Sequence, residues 1–358
     1  MFSMEEVEDF KFLTRRYLPF DHLGEGTFSI VYKAADLSKS AMDPRDPKTS
    51  FHVALKVITK TTAPKRVLDE LRFLKKLGGK KNCVKLLACM RNEDQIVAVF
   101  PFHESTEFRS FIMDCTIQEI RLYMYNLLTA IEHIHKHKII HRDIKPNNFL
   151  WDRKSNSGVI IDFGLAQEYH PIDPSIEALA EITNANSKKQ TGVFFNGVIA
   201  KRTQSPGYYM TDPRPQMKAH RAGTRGFRAP EVLFRTQRQG LALDIWSAGV
   251  IFLCLLTRQY PFFHSTDDIN ALVEIGTIFG HNEMRRAARH YNRVWKSNIK
   301  TIPTDRVPFQ KIVGGLNPTC NLSSEGYDLL YNMLELNSEK RITAREALFH
   351  PFFDDINK

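Results

Sequence analysis

His141-Arg142-Asp143-Ile144-Lys145-Pro146-Asn147-Asn148 is followed, fourteen positions after Asn148, by Asp162-Phe163-Gly164. These two short stretches decide how the rest of the chain is read. Moving a phosphoryl group from ATP asks a protein for little covalent work. A hydroxyl must be positioned, a divalent cation held, and charge on the moving group neutralised. Asp143 is the candidate to accept the hydroxyl proton and Lys145 to steady the γ-phosphate. Asn148 and Asp162 offer the hard oxygen donors that suit Mg²⁺, with nucleotide phosphates and waters completing the shell. The plain alternative is two charged loops that happen to be adjacent.

Working outward, Thr116 and Glu119 form a capping box, and Ile117, Ile120, Met124, Leu127, Leu128, Ile131 and Ile134 mark one face of a helix that ends just before the first motif. Residues 244–256 are apolar nearly all round, which predicts a helix at the centre of a helical domain. Residues 322–336 and 343–349 predict further helices. Between them, 292–321 carries Pro303, Pro308, Pro318 and Gly314-Gly315 and reads as an irregular surface excursion.

Before about residue 102 the pattern changes. Segments 17–23, 28–34 and 51–59 read as antiparallel strands, with polar turn material over 36–50. A helix follows over 63–77, where Val67, Leu68, Leu71, Leu74 and Leu77 recur at helical spacing and Gly78-Gly79 closes the run. Another strand over 95–100 ends at Pro101. The class is α+β, with a small β-rich part over 1–102, a larger helical part over 103–358, and a hinge near 101–104.

Two features of the first part bear on nucleotide binding. Gly24-Glu25-Gly26-Thr27-Phe28-Ser29-Ile30-Val31 lies between two strands, where glycine allows phosphates to approach backbone N–H groups. Because a strand follows, a dinucleotide fingerprint is disfavoured, and an ordinary hairpin turn is the bland reading. In Val53-Ala54-Leu55-Lys56, the period of two puts Ala54 and Lys56 on one face, room for a flat base beside an ammonium. Glu70 on the next helix could hold Lys56 by an ion pair; alone, it reads as one solvated helix charge among several.

This ordered set resembles the eukaryotic protein kinases, from Gly24 to Phe353, and continues through Ala229-Pro230-Glu231, Asp244-Ile245-Trp246-Ser247-Ala248-Gly249 and Arg341. The resemblance implies a bilobal fold with a small antiparallel N-lobe and a larger helical C-lobe, and ATP with Mg²⁺ as cofactors. It implies that Phe100 backs the adenine pocket and that the backbone of Pro101-Phe102-His103 hydrogen-bonds the base. It further implies that Glu231 pairs with Arg341 and that Asp244 anchors the catalytic loop. No catalytic position of the set is missing, which argues against a pseudokinase.

The two motifs, with Gly223-Thr224-Arg225-Gly226-Phe227-Arg228 and Ser29 in place of a third loop glycine, look like the replication-initiation kinases of the DDK group. That likeness implies activation by a Dbf-type regulatory subunit that fixes the Glu70 helix, a nuclear location, and the minichromosome maintenance helicase as substrate. The group carries long insertions, and 69 positions separate Asp162 from Glu231 here. Within the insertion over 171–220, Val193-Phe194-Phe195 and Val198-Ile199-Ala200 flank Asn196-Gly197, a hairpin signal. The likeness implies that the insertion helps dock the regulatory subunit.

Lys218, His220, Arg221, Arg225 and Arg228 crowd the end of this segment. Guanidinium forks suit carboxylate and phosphate, so Ser/Thr followed by an acidic or phosphorylated residue is the expected target. One of these arginines could instead pair with Glu168 or Glu231. Thr224, grouped with them, is expected against the catalytic loop. Arg142 could grip a phosphate on the activation segment, and Thr183, Ser187, Thr191, Thr203 and Ser205 are available acceptors.

The net charge of +10 suits acidic or phosphate-bearing partners without naming one. Basic residues are spread without a nucleic-acid module, so direct nucleic-acid binding is not expected. Five scattered cysteines show no zinc or disulfide spacing and point to a reduced compartment. The acidic start, Met1-Phe2-Ser3-Met4-Glu5-Glu6, is unlike a secretory signal, and no apolar stretch approaches the ~20 residues a bilayer requires. Two other readings stay open: a casein-kinase-like acidophilic enzyme that needs no Dbf-type subunit, and a scaffold that binds nucleotide without transferring phosphate.

Overall fold

The structure is a computed structural model that describes residues 13, 16–26, 29–39, 51–58, 62–171 and 223–357. Its contacts divide the chain into two compact units: Met1–Thr106 with Phe149–Ala166, and Glu107–Asn148 with Gln167–Lys358.

In the first unit, β1 (Tyr17–Gly26), β2 (Ser29–Asp36) and β3 (His52–Ile58) are followed by α1 (Pro64–Leu77), β4 (Ala88–Asn92) and β5 (Gln95–Pro101). The strands form one antiparallel sheet in the order β1-β2-β3-β5-β4. Val53, Leu55 and Val57 of β3 join Tyr17, Tyr32, Val97 and Val99 in the core of one face. Strand alternation then turns Ala54 and Lys56 to the other face, as their spacing predicted. β4 was not anticipated: Ala-Cys-Met-Arg-Asn on a sheet edge has no continuous apolar signal.

Pro64 opens α1, and Gly78, at φ 64°, closes it in the left-handed conformation. The buried face is Val67, Glu70, Phe73, Leu74 and Leu77. Leu68, expected on that face, is 47% exposed, whereas Glu70, ion-paired with Lys56, is buried.

The hairpin β7 (Phe149–Asp152) and β8 (Ser157–Ile160) belongs with this first unit, although it was expected in the helical part. Backbone bonds explain the difference. Val84 N–H donates to Ile160 O at 2.9 Å, Ile160 N–H to Asn82 O at 2.7 Å and Thr106 N–H to Trp151 O at 2.7 Å. The Asn82 side chain also donates to Gly158 O at 2.7 Å.

The second unit holds α2 (Phe108–Asp114), α3 (Ile117–Lys136), the short pair β6 (Ile139–Ile140) and β9 (Gln167–Glu168), and helices α4 (Pro230–Leu233), α5 (Ala242–Thr257), α6 (Asp268–His290), α7 (Phe309–Leu316), α8 (Ser324–Met333) and α9 (Ala344–Leu348). The capping box of Thr116 and Glu119 is present at the start of α3. Every residue of α5 from Leu243 to Thr257 is buried, as a helix apolar nearly all round predicts.

The stretch 292–321 is not wholly irregular. Pro308 precedes α7, whose Phe309 and Val313, one turn apart, are both buried. Its Gly314-Gly315 lies inside the helix rather than in a turn. Within α6, Gly280 has φ 72°, and an added Cβ there would come within 2.5 Å of the Asp305 backbone, so the kink depends on glycine. Among the described residues, no helix is long and apolar enough to cross a membrane.

Candidate active site

The first unit builds a charged cluster around Lys56. Its Nζ donates to Glu70 Oε1 at 2.6 Å and to Asp162 Oδ1 at 2.8 Å. Burial alone would lower the Lys56 pKa, but the Asp162 and Glu70 carboxylates outweigh it and raise the value, so the ammonium stays charged. Lys56 and Glu70 side chains are 14% and 10% exposed, whereas Asp162 is 43% exposed. Gly164 N–H also donates to Asp162 Oδ1 at 3.1 Å, and Arg66 Nε to Gly164 O at 2.6 Å. Arg66 was missed in the sequence, since its partner lies 98 positions away.

The glycine loop occupies the end of β1 and the start of β2, with Gly24 opposite Val31, Glu25 opposite Ile30 and Gly26 opposite Ser29. Thr27 and Phe28 lie outside the described residues. Among the described residues, a Cβ added to Gly24 would meet no atom within 4 Å, and one on Gly26 only Ser29 O at 3.7 Å. The described neighbours therefore leave room over both glycines. Val31 is opposite Lys56, and Ala54 is opposite Phe100.

At the end of β5, Phe102 N–H donates to His52 O at 3.3 Å, so that donor is spent within the sheet. The Phe102 ring lies 4.0 Å from Lys33 Nζ. Pro101 is the last residue of β5. Burial lowers the His103 pKa, which keeps its imidazole neutral near pH 7.

The second unit builds a separate cluster on the loop after β6. Asp143 Oδ1 accepts from Thr224 N–H at 2.9 Å and from the Thr224 hydroxyl at 2.8 Å. Its Oδ2 accepts from Asn148 Nδ2 at 3.0 Å and pairs with Lys145 Nζ at 2.8 Å. Asn148 Nδ2 also donates to Asp143 O at 2.9 Å, which turns the amide oxygen, the hard donor, away from Asp143. Lys145 Nζ reaches the Thr224 hydroxyl at 3.0 Å. Thr224 thus lies against the catalytic loop, as anticipated.

Asp244 on α5 holds this loop from beneath. It accepts from His141 N–H and Arg142 N–H, each at 2.8 Å, and lies 2.9 Å from His135 Nε2. Burial would raise its pKa, yet the bonds from His135 and the His141 backbone lower it. Arg142 sits at φ 70° and donates to Gln239 Oε1 at 2.7 Å. Glu231 and Arg341 form the expected pair, at 2.8 Å and 3.0 Å, with both side chains fully buried.

The arginines expected at the substrate separate into two kinds. Arg228 Nη1 pairs with the buried Asp268 at 2.7 Å, and its Nε donates to Gly223 O at 2.9 Å. Its fork is therefore committed to the fold, through an α6 carboxylate rather than Glu168 or Glu231. Arg225 is exposed and donates through Nη1 to Thr266 O. Arg221, Lys218 and His220, the hairpin around Asn196-Gly197, and the five candidate acceptor hydroxyls lie outside the described residues.

Taken together, a lysine held charged by two carboxylates and an aspartate set among hydroxyl, amide and ammonium donors are the parts of a phosphoryl-transfer enzyme. The protein kinase domain family matches residues 17–183 and 205–353. Probable cell division control protein 7 homolog 1 of Encephalitozoon cuniculi is 54% identical over 98% of this chain and 95% of its own length. The cell cycle serine/threonine-protein kinase hsk1 of Schizosaccharomyces pombe is 38% identical over 97% of this chain and 75% of its own. The human cell division cycle 7-related protein kinase is 27% identical over 94% and 89%. The chain belongs to the protein kinases and, within them, to the serine/threonine kinases of the cell division control protein 7 type. That membership implies ATP use, typically with Mg²⁺.

Proposed function

We propose that the chain is a kinase of the DDK group. It phosphorylates Ser/Thr followed by acidic residues, works with a Dbf-type regulatory subunit, and acts in the nucleus on the minichromosome maintenance helicase to start DNA replication. The observation that carries this reading is the 54% identity, over nearly the whole chain, to a relative named for cell division control.

The residues fit Mg-ATP. Asp162 and the Asn148 amide are oxygen donors of the kind a hard cation takes, and the space over Gly24 and Gly26 admits phosphate to the backbone. Mg-ATP supplies the phosphoryl group and part of the charge neutralisation. Lys56, kept positive by its two carboxylates and held in place by Glu70, would meet the phosphates. Asp143 takes the proton of the attacking hydroxyl, and Lys145 offsets charge on the transferred group. The hinge at Pro101 and His103, beside Ala54 and Phe100, would hold the base.

Acidic preference rests on Arg225, an exposed residue, with Arg221 as a second candidate. Peptides bearing Ser-Glu and Ser-Ala, assayed with and without a co-expressed Dbf-type subunit, test the reading. Strong stimulation by the subunit and faster turnover of Ser-Glu are expected. Full activity of the chain alone would favour the casein-kinase-like alternative.

A further inference from the structure

We infer that Arg66 is a positioning residue for Asp162, fastening the 162–164 turn to helix α1 at a second point. This rests on the reading of Asp162 as a Mg²⁺ ligand given above.

The bonds close a ring. Lys56 joins Glu70 on α1 to Asp162, at 2.6 Å and 2.8 Å. Asp162 Oδ1 accepts from Gly164 N–H at 3.1 Å, and Gly164 O accepts from Arg66 Nε at 2.6 Å. Arg66 and Glu70 are four positions apart on one helix, so their side chains leave the same face one turn apart. A turn held at one point can pivot about it; held at two, its orientation follows the helix. The crowding at Gly164 shows how closely the ring is drawn. A Cβ there would lie 3.2 Å from Asp162 Oδ1, 3.5 Å from Glu70 Oε2 and 3.6 Å from Arg66 Nη2. A guanidinium on a carbonyl is a charge-assisted bond, stronger than a neutral one.

The consequence concerns regulation. Whatever sets the position of α1 sets Lys56 through Glu70 and the metal ligand through Arg66 together. A regulatory subunit that fixes this helix would then control metal binding as well as the lysine.

The test compares wild type, R66M and R66K in the full chain. Three quantities are read: the Mg²⁺ concentration that half-saturates ATP binding in calorimetry, the ATP affinity without metal, and hydrogen exchange over 162–166. In R66M the Mg²⁺ requirement is expected to rise about fivefold and exchange to quicken about tenfold, with metal-free ATP affinity within about twofold, as expected when one charge-assisted bond is lost. R66K, which keeps a charged donor, should recover most of both effects. Unchanged Mg²⁺ requirement and exchange in R66M would overturn the inference, as would equal weakening of metal-free and metal-dependent binding. Should R66M not fold, R66Q is read by the same criteria. If wild type shows no Mg²⁺-dependent ATP binding, the assignment of Asp162 fails, while the exchange data still decide whether Arg66 holds the turn.

Discussion

Two glutamates, Glu231 and Glu70, each meet a cation, and the difference between the pairs separates structure from chemistry. Glu231 and Arg341 are both 0% exposed and meet through two bonds. Arg341 also donates to Glu335 O at 2.8 Å and Ala242 O at 2.7 Å. This is a closed joint, with donors and acceptors matched inside the second unit. Glu70 and Lys56 keep some access to solvent, and Lys56 shares its charge with Asp162, the most exposed of the three. That arrangement holds an ammonium in place while leaving it able to exchange partners. An arginine fork suits the first task and a point charge with rotatable donors the second.

The largest expected effect breaks the closed joint. R341M leaves a buried carboxylate unpaired and should cost about 3–5 kcal/mol of stability in urea unfolding. A loss under about 1 kcal/mol would put the two pairs in the same class. Next, K56M should lower phosphoryl transfer about 10²–10³-fold, the size expected for losing one electrostatic contact to the reacting group, with a smaller loss in urea unfolding than R341M. A large stability loss with modest kinetic loss would reverse its place in the comparison.

The arginines sharpen the same contrast. R228A, which removes the Arg228 fork from the buried Asp268, should lose about 1–3 kcal/mol and slow Ser-Glu and Ser-Ala peptides equally. R225A should stay within about 0.5 kcal/mol of wild type and slow Ser-Glu selectively. The smallest effect is in pH dependence. Because the Lys56 pKa is raised, the stability it contributes is fully present below the unfolded-state value and disappears only as pH rises through the higher folded one. The stability difference between wild type and K56M should therefore be flat from about pH 6 to 9 and shrink above roughly 10.5.

Much of this was legible because the chemistry is local in sequence. Asp143, Lys145 and Asn148 fall within six residues of one another, and alternation along 53–56 alone placed Lys56 beside Ala54. The capping box at Thr116 and the apolar run of α5 carry their own signals. What stayed hidden depends on distant partners. Arg66 meets Gly164 across 98 positions, and Arg228 meets Asp268 across 40, so neither bond has a spacing to read. A glycine pair misled in one place: Gly314-Gly315 suggested irregular chain where α7 runs. The hairpin over 149–160 joins the first unit through backbone bonds at Asn82, Val84 and Thr106, which side-chain patterns do not reveal.

The most direct measurement compares wild type and D143N, purified with a Dbf-type subunit, for Mg-ATP binding and for phosphate transfer to a Ser-Glu peptide. D143N is expected to bind Mg-ATP within about threefold of wild type and to lose transfer by about 10²–10⁴-fold, the range for removing a proton acceptor. Transfer preserved in D143N would contradict the role of Asp143 and, with it, the division of labour between the two clusters.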